Sequence, residues 1–140
     1  MAEKELYFKS AAEIGSLIRD KEISPVEVVE AHLKRIEELE PGLNSFITLL
    51  PDQALESARK AEREIQEGKY KGVLHGIPLG MKDAYKTKDI RTTYGCKVYD
   101  RYVPDEDSTT VERLRQAGAI LIGKLNLHTL EYGSTGQNNY

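Results

Sequence analysis

The chain has 140 residues, 39% hydrophobic and 31% charged, with a net charge of −3; that is a globular composition, long enough for one domain with a modest core. The balanced charge argues against direct nucleic-acid binding by this segment, and the single cysteine, Cys96, cannot close an internal disulfide and fits a reducing compartment. No apolar run approaches the ~20 residues of a membrane span, and the start MAEKELYFKS has no apolar secretory core, so a cytoplasmic protein is expected.

Residues 1–68 read as a helical region with three helices. Ser10-x-x-Glu13 has the form of a capping box, followed by Ile14, Leu17 and Ile18 on one face. Ser24-Pro25-Val26-Glu27 is a stronger start, with a cap, a proline in the first helical position and a glutamate at the third. Val29, Leu33 and Ile36 follow at helical spacing, and Pro41-Gly42 is expected to stop the helix. Asp52 is expected to cap a third helix. Its stripe of Ala54, Ala58, Ala61 and Ile65 permits close packing, and Gly68 ends it. Glu56 and Lys60 pair at i, i+4 on its solvated face.

The pattern changes after Gly68. The run from Val73 to Met81 is apolar, but Gly76, Pro78 and Gly80 make it a poor helix, and it reads as one or two short strands. Residues 83–106 lack long periodicity and read as loops, with a short strand expected near Cys96 to Tyr99. Asp107 or Ser108 can cap a fourth helix that presents Val111, Leu114 and Ala117 inward and closes at Gly118. AILIG at 119–123 is continuously apolar, as in a strand buried on both faces. Strand, helix, strand predicts a βαβ unit and an α/β class. Asn126 is expected to cap a short last helix through Tyr132. The edges of the 119–123 strand lack obvious partners, and the tail GSTGQNNY is polar and irregular, so an incomplete chain is expected.

One charged side chain interrupts this half. HGIPLGMKD places Lys82 at the end of an apolar, glycine-rich run. A strand-end lysine commonly lays its stem on apolar surface and keeps its head wet. Alternatively the head is held away from water, which disfavours the ammonium and leaves an amine able to act as a base. The residue types leave both open. His32, His75 and His128 show no metal-ligand spacing, so no metal is expected. His75 reads as a packing or hydrogen-bonding residue, and His32 as solvent-facing on its helix. Cys96 has only Lys97 beside it to activate a thiolate. Asp83 should point to the face opposite Lys82 and bond to nearby backbone.

LHGIPLGMKD, then IRTTYGC, then DSTTVERLRQAGAILIGKLNLHTLEYGSTGQNN, with SAAEIGSLIRDKEISPVEVVEAHLKRIEELEPGLNSFIT before them, resemble the amidase signature family over essentially the whole chain. The resemblance implies a mixed α/β sheet flanked by helices, begun here in residues 72–140 after the helical 1–68, all within a single domain spanning 1–140. It implies catalysis by a Ser-Ser-Lys triad in which Lys82 is the base, with no cofactor. It implies that Thr92, Thr93 and Gly95 support the site, and that Glu131, Gly133, Ser134 and Thr135 line the substrate pocket; a helix end followed by a polar turn is the plainer account of that stretch.

The two catalytic serines of the family belong to a GGSSGGS-like signature and a segment beyond it, and neither occurs here. Ser108 reads as a helix cap, and Ser134, in GSTG, has the wrong context. The chain alone is therefore expected to be inactive, and its substrate a small-molecule amide. Two other functions compete with a general amidase. One is the A subunit of a tRNA-dependent amidotransferase, working with partner subunits, where LNLHTLEYGST departs from the usual TNMDEFAMGSS. The other is an inactive binding or scaffolding domain.

Overall fold

The structure is a computed structural model that describes residues 3–140. A 3-10 turn over Glu3–Phe8 leads into α1 (Ala11–Arg19) and α2 (Pro25–Leu43). Both helices open with complete capping boxes. The Ser10 and Ser24 hydroxyls accept from the third helical N–H, and Glu13 and Glu27 reach back to the cap N–H. The predicted helix starts are thus set by local chemistry.

Then the structure departs from expectation. Pro41 does not stop α2: it lies in the last turn, where the missing N–H removes one bond only, and Asn44 ends the helix in the left-handed region. Residues expected to join two helices instead form a strand, β1 (Phe46–Leu49). The Glu40 carboxylate anchors its start, accepting from Ser45 Oγ at 2.5 Å and Phe46 N at 2.7 Å. α3 (Pro51–Gln66) begins with proline in its first turn. Asp52 lies within that turn, and Leu50 holds the cap position without a side-chain bond.

β2 (Pro78–Lys82), α4 (Thr109–Gln116) and β3 (Ile120–Leu125) form the expected βαβ unit, with β2 and β3 parallel. β1 pairs antiparallel on the other side of β3, so the order is β1-β3-β2. The central strand therefore has a neighbour on each edge, contrary to the sequence-based expectation. Gly123 permits the close pairing: a Cβ there would lie 2.6 Å from the Phe46 ring and 2.7 Å from the Thr48 carbonyl.

α3 packs on α2 and on β3. Its Ala54, Ala58 and Ala61 are buried against Val29, Ile120 and Ile122, as the small-residue stripe predicts. A second cluster joins Leu6, Ile14, Ile18, Val28, Ile65 and Ile77 around α1. Between β2 and α4 the chain is mostly loop. The strand expected near Cys96 is a 3-10 turn, Lys97–Tyr99, because Tyr94 and Gly95 both take positive φ and break the extended path. Ser108 takes the cap position of α4, but its hydroxyl is buried without a partner. Val111 is buried, with Leu114 and Ala117 half-buried. The last helix shrinks to a 3-10 turn, Thr129–Glu131, preceded by His128 rather than Asn126. Among the described residues no helix is long and apolar enough to cross a membrane.

Candidate functional site

β2 carries Lys82 to its carboxyl end, the side of a parallel strand pair where α/β proteins place ligands. At the strand's end Met81 is buried and Lys82 exposed, its side chain 44% accessible. The wet alternative for this ammonium therefore holds within these residues. Lys82 Nζ donates to Glu131 Oε1, itself 50% exposed, across a separation of 49 residues. The fold thus joins two of the residues singled out from sequence.

Glu131 reaches Lys82 from a strained turn. Leu130 and Glu131 both take positive φ, 51° and 62°, unusual for residues with side chains. The turn is fixed by Leu130 N donating to the Tyr94 carbonyl at 2.8 Å and Thr129 Oγ1 to the Gly95 carbonyl at 3.0 Å. Gly133 lies against the His128 imidazole, where a Cβ would come within 2.5 Å of a ring carbon, and Thr135 Oγ1 lies 3.2 Å from His128 Nδ1. Both residues, like Ser134, are exposed. Of the four pocket candidates, the structure brings Glu131 to Lys82 and gathers Gly133 and Thr135 around His128. Tyr94, Tyr99, Tyr102 and Leu130 line a shallow hollow of about 190 Å³ beside this turn.

The lysine kept dry is a different one. Lys124, on β3, is 0% exposed, as is its partner Asp83. Its Nζ donates to Thr92 Oγ1 at 2.6 Å and to the Tyr85 carbonyl at 3.0 Å, and lies 3.1 Å from Asp83 Oδ1. Burial pushes the Lys124 ammonium below its ordinary range, and the Asp83 carboxylate pulls it back up. Asp83 Oδ2 accepts from Thr93 N at 2.8 Å and from Thr93 Oγ1 at 2.6 Å. Asp83 does bond nearby backbone, as its strand position suggests, but it also pairs with Lys124, which the sequence reading missed. The available signal was a lone lysine inside the apolar run AILIGKL.

His75 is a buried hydrogen-bonding residue: Nδ1 accepts from Lys71 N at 3.2 Å, and Nε2 lies 3.1 Å from Glu64 Oε2. Desolvation, reinforced by Lys71, pushes its imidazole below the usual value despite the Glu64 carboxylate. His32 is half-buried rather than solvent-facing, its Nδ1 2.8 Å from the Val28 carbonyl. Among the described residues no cluster of His, Cys, Asp or Glu could hold a metal ion.

The profile of the Amidase family matches residues 27–140. The chain is 42% identical over 135 residues to the A subunit of the glutamyl-tRNA(Gln) amidotransferase from Methylococcus capsulatus, covering 96% of this chain and 28% of that one. It superposes on the native peptide amidase of Stenotrophomonas maltophilia with a TM-score of 0.81 at 35% identity, covering 86% of this chain and 25% of the other. It superposes on a fatty acid amide hydrolase with a TM-score of 0.86 at 28% identity, covering 90% and 22%. The chain thus spans less than a third of the length of these relatives.

Proposed function

The chain belongs to the amidase family, and on that premise we propose that it supplies the general base, Lys82, to a site that cleaves carboxylic amides. The observation that carries this is the placement of Lys82 at the carboxyl end of β2, in contact with Glu131. The two serines of the proposed triad lie outside these 140 residues. An unprotonated Lys82 takes a proton from a bridging serine, which takes one from the nucleophilic serine. The nucleophile adds to the amide carbonyl, the C–N bond breaks as the nitrogen is protonated, and ammonia or an amine leaves. Water then cleaves the acyl-enzyme. In the present geometry Lys82 donates to Glu131, so the chemistry requires that contact to be exchanged for a serine hydroxyl.

Glu131, Gly133, Ser134 and Thr135 are proposed to border the pocket of this cytoplasmic enzyme, whose substrate is a small-molecule amide. The test is acyl transfer. Full-length protein given a primary amide and hydroxylamine should form the acyl hydroxamate, and Lys82→Ala should form it at least about 100-fold more slowly. The 140-residue chain alone should also be inactive, and reproducible turnover by it overturns the division of the site.

A second reading is favoured by the 42% identity to an amidotransferase component. Here the amide is that of glutamine, and the released ammonia passes to a reaction run with partner subunits. Glutaminase activity that appears only with those subunits selects this reading. Hydroxamate formation from simple amides without them selects the first.

A further inference from the structure

We propose that the buried Lys124–Asp83 pair is a positioning element that fixes Lys82 relative to the turn carrying Glu131. This rests on the reading of Lys82 as the base. Asp83 follows Lys82 directly, and the chain at Asp83 is held on every side. Its N–H donates to the Leu125 carbonyl at 3.0 Å, and its carbonyl accepts from Tyr94 N at 3.1 Å. Its carboxylate takes both donors of Thr93 on one oxygen and faces the Lys124 ammonium with the other. With residue 83 so constrained, the stem of Lys82 leaves the sheet in one direction.

The same loop holds the other wall. Tyr94 and Gly95, which follow Thr93, accept the two hydrogen bonds that fix Leu130 and Thr129. Thr93 Oγ1, which donates to Asp83, also accepts from Gly95 N at 3.1 Å. Lys124 ties in Thr92 and Tyr85 from beneath, and Thr92 Oγ1 donates onward to the Ile90 carbonyl at 3.1 Å. A charge buried without access to water is costly, and it persists only where fixed partners surround it. Here those partners are Tyr85, in the segment just after Lys82, and Thr92 and Thr93, in the loop whose next two carbonyls hold the 129–131 turn. None of these groups needs to touch a substrate; they act through Lys82.

Backbone 15N relaxation of the full-length protein tests this, with Thr93→Val removing one hydroxyl and sparing the backbone bond. Residues 82, 83, 94, 95 and 129–131 should loosen together, from order parameters near 0.85 toward about 0.6, while α2 and β3 stay rigid. Thr93→Ser, which keeps the hydroxyl, should restore them. Unchanged order at residue 82 and at 129–131 in a folded Thr93→Val chain overturns the proposal, as does uniform loosening. If Thr93→Val does not fold, Thr92→Val gives the same test from the lysine side. In the full-length protein Thr93→Val should lower kcat by up to about 100-fold, the scale of a misplaced catalytic group, with KM unchanged. Should wild-type protein prove inactive, the assignment of Lys82 fails while the relaxation result still judges the positioning.

Discussion

Lys124→Met isolates the cost of breaking a buried ion pair in this fold. Methionine keeps much of the aliphatic stem, so little cavity forms. What is lost is the ammonium that serves Thr92 Oγ1, the Tyr85 carbonyl and Asp83 Oδ1, in a site with no exposure on either side. Asp83 is left as a buried carboxylate with one oxygen uncompensated. Removing one partner of such a pair costs about 3–5 kcal/mol, a large share of the roughly 5–15 kcal/mol available to a domain. At roughly 3 °C per kcal/mol for a chain of this size, Tm should fall by about 10–15 °C. Asp83→Asn alone should also destabilise, because it strands the lysine. The double variant should recover at least about 1.5 kcal/mol relative to the sum of the singles, since no unpaired charge remains. Urea denaturation of all four chains measures the cycle. Additive effects, or a Lys124→Met loss under about 1 kcal/mol, refute the view that the two groups form one unit.

Other expected outcomes follow from single residues. Gly118 ends α4 at φ +85°, and a Cβ there would come within 2.5 Å of the His75 ring; Gly118→Ala should cost about 2–4 kcal/mol in urea unfolding, from left-handed strain and overpacking together. Ser24→Ala removes the cap of α2 and should cost about 1 kcal/mol. His75 has its folded pKa pushed below the unfolded value of about 6.5. As pH falls through 6.5 the unfolded chain takes a proton that the folded chain refuses, so stability declines from there down to the folded pKa. Tm scans from about pH 8 to 5 should show this slope in the wild type and lose it in His75→Gln.

Sequence and structure agree where local chemistry decides. The boxes at Ser10 and Ser24 and the alanine stripe of α3 are complete signals within a few residues, and the β2–α4–β3 unit follows from periodicity and order. β1 was hidden because Phe46–Leu49 is only four residues long and lies between two proline-marked helices; its strand state depends on pairing with β3, some 75 residues away. The end of α2 was misplaced because a proline in a last turn costs a single hydrogen bond. At the candidate site, the motif singles out Lys82 and the resemblance Glu131, but nothing in the sequence joins the two in contact. Lys124 had one signal, its place inside an apolar run, but its pairing had none: such a lysine looks like a strand end until the sheet order shows it in the central strand, with Asp83 just past the end of the neighbouring one.

Lys82 is proposed as the base of an amide-cleaving site, and ammonia release from a primary amide by the full-length protein, wild type against Lys82→Ala, tests this most directly. A thermal melt of both proteins, compared before the assay, establishes that the variant is folded. The variant's rate should be at least about 100-fold lower, the least that loss of a general base costs. A folded Lys82→Ala protein that releases ammonia at the wild-type rate contradicts it.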